Sequence, residues 1–197
     1  MQQILQITRD LASVECCIKS NGFGLFAQVY DNFTLGGNST ITEVQFTGEY
    51  FNPPSQGPIT GWTVNLYGDS SGQPGGLIDT FHVAGTGGET FLGTYGGFPT
   101  YTYDITGLNF AVTGHTQYWL DVYPDLGFPP QWGWSSGTGG DGIAYQDFNQ
   151  VRSQLAADMA FTLIGNSSGT TPEPGTMILL GTGLLGALGV MRRKMNL

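Results

Sequence analysis

Only two cysteines occur in the 197 residues, adjacent at Cys16 and Cys17 and ahead of the patterned part of the chain. A body without cysteine has no disulfide staple, no thiolate metal site and no cysteine redox chemistry. Basic side chains are nearly as scarce, six Lys and Arg against 15 Asp and Glu. Between residues 28 and 171, Arg152 stands alone against twelve carboxylates. A nucleic-acid surface needs several cations on one face to release phosphate counterions, so nucleic acid is excluded as a partner, and other polyanions with it. The two histidines, His82 and His115, are too few for an all-histidine zinc site, and neither lies in a ligand-spaced motif, so no metal site is expected from them.

What the chain has is glycine and aromatic side chains: 32 Gly, 40% hydrophobic and 13% aromatic residues, enough apolar content to fold. The length suits one domain with appendages. From residue 28 to 165 the hydrophobic pattern has period two. Val44 and Phe46, Val64 and Leu66, Tyr101 with Tyr103 and Ile105, Leu108 with Phe110 and Val112, Tyr118 with Leu120 and Val122, and Met159 with Phe161 and Leu163 each define a strand with one face inward. Turn chemistry separates them at Gly36-Gly37-Asn38, Asn52-Pro53-Pro54, Gly68 to Gly76, Gly85 to Gly88 and Gly137 to Gly142. These Gly-rich stretches have no helix after them and read as turns rather than phosphate cradles. About ten short strands without helical periodicity predict an all-β fold, an antiparallel β-sandwich or jelly roll.

A different kind of sequence follows the polar linker 166–171. Pro172-Glu173-Pro174-Gly175 leads into Met177 to Met191, 15 residues without a charge, and then directly into Arg192, Arg193 and Lys194. As a helix that apolar run spans roughly 22 Å, slightly short of the roughly 30 Å hydrocarbon core. The basic cluster is a cytoplasmic flank, which places the preceding body across the membrane. The three-part order at residues 172–197 resembles the PEP-CTERM sorting signal of Gram-negative bacteria. The resemblance implies recognition by a membrane protease, exosortase, near Pro172, Glu173 and Pro174. It also implies transient inner-membrane anchoring and delivery to the cell surface or an exopolysaccharide matrix. Tyr30 to Leu35, Gln117 to Leu120 and Asp158 to Gly165 look like stretches of the β-sandwich domains that precede such tails, and that likeness brings no catalytic residues. Residues 1–27 depart from the pattern. Asp10, Glu15 and Lys19 interrupt any signal-peptide core, so this region reads as a degenerate or misassigned leader, or alternatively as a short amphipathic helix over Ile4 to Ile18.

Within the body, glycosidase chemistry would need two carboxylates across a sugar. Asp121 and Asp125 are the best-placed pair, while Glu43 and Glu49 bracket a turn-like Gly48. Nucleophilic catalysis would need a histidine near a Gly-x-Ser-x-Gly elbow, and His82 and His115 lie near none. The expectation is therefore a non-enzymatic protein with no catalytic residues. Trp119, Trp132 and Trp134 offer flat faces for sugar stacking, the alternative being core packing between sheets. Asp69 to Gln73 and Gly139 to Gly142 are oxygen-rich loops of the kind that bind Ca²⁺, and equally the composition of plain turns. The leading expectation is an exported surface or matrix protein, the second a glycan-binding module using the tryptophans, the third a hydrolase using Asp121.

Overall fold

The computed structural model describes residues 4–8, 10–13, 27–148 and 150–167. The chain divides after Ser167 into two units, and the first holds all the described residues. The expected apolar helix, the Pro172-Glu173-Pro174 element and the Arg192, Arg193, Lys194 cluster lie outside them.

Fifteen strands are described, in the order β1 (Ile4–Thr8), β2 (Asp10–Ser13), β3 (Ala27–Thr34), β4 (Ser39–Phe51), β5 (Gly61–Asp69), β6 (Pro74–Ala84) and β7 (Thr90–Tyr95). There follow β8 (Phe98–Val112), β9 (Gln117–Asp125), β10 (Gln131–Trp134), β11 (Ser136–Thr138), β12 (Ala144–Phe148), β13 (Val151–Leu155), β14 (Asp158–Met159) and β15 (Phe161–Ser167). The first large sheet runs β1-β15-β4-β8-β7, with β10 also paired to β4, and the second runs β13-β12-β3-β9-β5-β6. A small ribbon, β14-β11-β2, completes the structure, and every pairing is antiparallel. The all-β expectation holds. Residues 4–8 and 10–13 pair as strands with β15 and β11, which corrects the helical alternative for that part of Ile4 to Ile18.

The inward faces of the two sheets meet in one core. Val44, Phe46, Val64, Leu66, Tyr103, Ile105, Phe110, Leu120, Val122, Met159, Phe161 and Leu163 all lie in it. Two predicted strands, Tyr101 to Ile105 and Leu108 to Val112, prove to be one, β8. Their inward residues have opposite parity, and a strand changes parity only through a bulge. That bulge sits where the β4 register shifts between Ile41 and Glu43, and Gly107, at φ +89, supplies the left-handed backbone it requires.

The centre of the core is aromatic. Trp62 from β5 and Trp132 from β10 meet edge to face at 5.1 Å, and Phe46 and Tyr103 pack on Trp62 at 4.8 and 4.6 Å. The Trp132 indole donates to the Tyr103 hydroxyl at 3.1 Å, and the Trp134 indole donates to the Ala160 carbonyl at 3.1 Å. Gly48, read from sequence as a turn, is inside β4, facing Trp134 in the β10 register. A Cβ there would lie 2.0 Å from Cζ2 of Trp132, so the indole lies where a side chain would otherwise stand. The glycine serves close packing, not chain reversal.

Phe161→Ala should cost about 3–5 kcal/mol in urea unfolding, and Ile164→Ala, on the half-buried face of the same strand, much less. The reverse order would mean that the inward face of β15 is misassigned. Gly48→Ala should lose about 1–3 kcal/mol or more to overpacking. Gly36→Ala, where a Cβ meets nothing within 4 Å, is the comparison and should change stability little.

Candidate functional site

The tryptophans settle the first question about a ligand surface. Trp119, Trp132 and Trp134 are 0%, 3% and 1% exposed. A buried indole has no face to lend a sugar, so the sugar platform expected from these three residues is not formed. Trp132 and Trp134 fill the inter-sheet core. Trp119 does face away from Tyr118, Leu120 and Val122, as the alternation requires, and is buried on that outer side instead.

The burial arises because the second sheet carries its own layer of side chains on the outer face. The Trp119 ring packs against Tyr145 at 5.4 Å, Tyr30 against Tyr67 at 5.2 Å, and the indole N–H of Trp119 donates to Asp69 at 2.9 Å. Arg152, on the edge strand β13, reaches across to donate to the Pro74 carbonyl at the far edge, 2.7 Å away. Its guanidinium lies 5.2 Å from the Tyr30 ring centre and grips Asp147 with two nitrogens, each at 2.7 Å. An arginine on one edge strand thus touches the other edge, so the outer face of the sheet is concave and largely filled. Burial raises the Tyr30 hydroxyl far above its usual range, and burial with the nearby Asp121 pushes Tyr67 up to about 12. Both phenols remain neutral throughout the physiological range, Tyr30 donating to Asp147 and Tyr67 accepting from Gln28.

The predicted carboxylates are dispersed by this geometry. Asp121 is 1% exposed and accepts from Gln28 at 2.5 Å and Asn65 at 2.9 Å. Asp125 pairs with the exposed His82 at 2.7 Å. The two acids therefore have separate partners and do not converge on one cleft. His115 holds a left-handed turn at φ 58. Glu49 is buried and Glu43 is on the opposite side of the Gly48 position along β4, so these two do not converge either.

The oxygen-rich loops use their carboxylates on their own backbone. Asp69 accepts from the Gly72 N–H at 3.0 Å in the hairpin between β5 and β6. Asp158 takes the N–H groups of Gly140 and Gly142, each at 2.9 Å, and Asp141 takes that of Ile143 at 3.0 Å. Among the described residues no three His, Cys, Asp or Glu side chains converge as metal ligands.

A groove of about 500 Å³ opens on the outer face of the first sheet, lined by Gln45 and Thr47 of β4, Thr90 of β7, Thr102 and Asp104 of β8 and Thr162 of β15. Cross-strand register sets them in rows: Thr162, Gln45 and Asp104 in one, Thr47, Thr102 and Thr90 in the next. Glu43 flanks the groove, accepts from Gln45 at 2.7 Å, and is held above the usual carboxylate range by burial and by the adjacent Asp104. Sequence reasoning missed this face. Its signal was the polar half of the alternation it used for the core, Thr100, Thr102, Asp104 and Thr106 between Tyr101, Tyr103 and Ile105.

Beyond the last strand, the polar linker leads to the Pro-Glu-Pro element and the uncharged run that ends at the basic cluster. Residues 170–194 match the PEP-CTERM protein-sorting motif. The match begins two residues before Pro172 and ends at Lys194, so it takes in Pro172, Glu173, Pro174, Arg192, Arg193 and Lys194 together. A PEP-CTERM tail indicates an exported protein that is sorted through exosortase, a membrane protein. No curated protein matches the chain.

The Arg152–Asp147 pair yields a pH-dependent prediction. The hydrogen bonds from Arg152 lower the Asp147 carboxyl below its ordinary value of 3.8. A lowered folded-state value stabilises the fold above 3.8, and the contribution disappears as pH falls through the lowered value. With both side chains partly solvated, Arg152→Gln should cost about 1 kcal/mol at neutral pH. The gap from the parent should narrow in acid, leaving the share owed to Pro74 and Tyr30. Urea titrations across that window measure it; a constant gap would refute the coupling.

Proposed function

We propose that this chain is a non-enzymatic surface or matrix protein, whose acidic β-sandwich is displayed outside the cell after exosortase acts on the tail, in association with exopolysaccharide. The observation that carries this reading is the sorting motif at residues 170–194, set directly behind a compact all-β unit. The roles of the acids support the non-enzymatic part. Asp31 accepts from the Met159 N–H at 2.7 Å, Asp158 holds the Gly140 and Gly142 loop, and Glu89 accepts from Tyr50 and Tyr103 at 2.5 and 2.9 Å. These are carboxylates spent on holding backbone and phenols in place. The hydrolase alternative would rest on Asp121, whose amide partners give it no second acid across a sugar. Low basic content suits an exported protein amid neutral glycans and opposes adhesion to polyanions.

The test replaces Arg192, Arg193 and Lys194 together by Gln and follows the full chain by cell fractionation in hosts with and without exosortase. The triple variant should fail to be retained and processed, and the parent should reach the surface fraction only when exosortase is present. Surface delivery of the parent in both hosts, or normal sorting of the triple variant, would contradict the proposal.

A further inference from the structure

We infer that the groove on the outer face of the first sheet is a binding site for a neutral polysaccharide chain laid across strands β15, β4, β8 and β7. The inference rests on the surface or matrix reading above and assigns the contact to a place. The groove, about 500 Å³, is of the size that takes small-molecule ligands. Its lining is chemically suited to polyols. Thr47, Thr90, Thr102 and Thr162 line it with hydroxyls beside methyl groups; those of Thr90 and Thr102 donate to the Gly88 and Thr90 carbonyls and so offer acceptor oxygens to a sugar hydroxyl. Gln45 contributes an amide at the centre of one row, and Asp104 a carboxylate at its end.

The charge pattern narrows the ligand further. Asp104 lines the groove opposite Gln45, and Glu43 accepts from that Gln45 at 2.7 Å, two acids with no basic side chain among the groove residues. Sugar hydroxyls donated to the pair would relieve their repulsion, whereas a uronate or sulfate would add to it. The row spacing fits an extended ligand, because neighbouring strands lie roughly 4.8 Å apart and alternate residues along one face roughly 6.8 Å apart.

The test uses the full chain in detergent, with dextran and a soluble β-glucan as neutral probes and alginate as the anionic one, read by affinity electrophoresis. Thr102→Val and Asp104→Asn keep the side-chain volume and leave the core untouched. Val151→Thr, on a strand of the other sheet, is the control, and an unchanged urea midpoint certifies folding of each variant. The expected result is binding of at least one neutral probe, at least tenfold weaker in Thr102→Val and in Asp104→Asn, unaltered in Val151→Thr, and absent for alginate. Equal binding by parent and groove variants overturns the site, as does binding of alginate alone or of no probe. Failure of export in the fractionation experiment strikes the underlying reading instead, and the two failures are separable because the binding assay does not depend on delivery.

Discussion

The contact between Trp62 and Trp132 joins the two sheets, and the neighbouring aromatic rings are arranged around it. Trp62 comes from β5, beside the edge strand β6 of the second sheet, Trp132 from a short strand paired to β4 of the first, and Phe46 and Tyr103 fill the angles between them. Each buried aromatic side chain contributes roughly 1.5–3 kcal/mol, and each well-oriented ring pair about 0.5–1.5 kcal/mol more. A body with no cysteine and one arginine has few other sources of cohesion, so the aromatic centre substitutes for disulfides and ion-pair networks. It also imposes conditions. The Trp132 N–H must find Tyr103, whose hydroxyl must in turn reach Glu89, and Gly48 must stay bare. The Trp62 N–H is buried without a hydrogen-bond partner among the described residues, an unmade bond worth about 1–3 kcal/mol that the surrounding packing has to exceed.

The two sheets differ in what their outer faces do. The second is covered on both sides over its inner strands β3, β9 and β5, where Arg152 reaches across the outer face to Pro74, so the body's one cation is used in folding and is not offered to a partner. The first keeps a solvated, hydroxyl-rich outer face, and there the groove lies. This division follows from antiparallel sheets, which can leave one face to water when the other meets a core.

The inward residues were legible in the sequence because period-two alternation is a local signal, and Val44, Leu66, Phe110 and Leu163 follow it. The tail was legible for a similar reason: its three parts are contiguous, and their order carries the information. The pattern could not show that β5 and β9 are covered on both faces. Trp119 and Tyr67 have the polarity of surface aromatics until Tyr145, Tyr30 and Arg152 arrive from residues far along the chain. Gly48 misled for the complementary reason. A glycine in a strand signals a turn or a close approach equally well, and only the partner, 84 positions away at Trp132, decides between them.

The central claim is that all four tryptophans are internal and that three of them, Trp62, Trp132 and Trp134, pack between the sheets and hold them together. Steady-state fluorescence of the folded full chain, with iodide as quencher, tests it most directly because Trp62, Trp119, Trp132 and Trp134 are the protein's complete set. The account predicts emission well to the blue of free tryptophan and almost no quenching by iodide until urea unfolds the body, at which point both properties change together. Emission resembling free tryptophan, with efficient quenching of the native protein, would show one or more indoles at the surface and would contradict it.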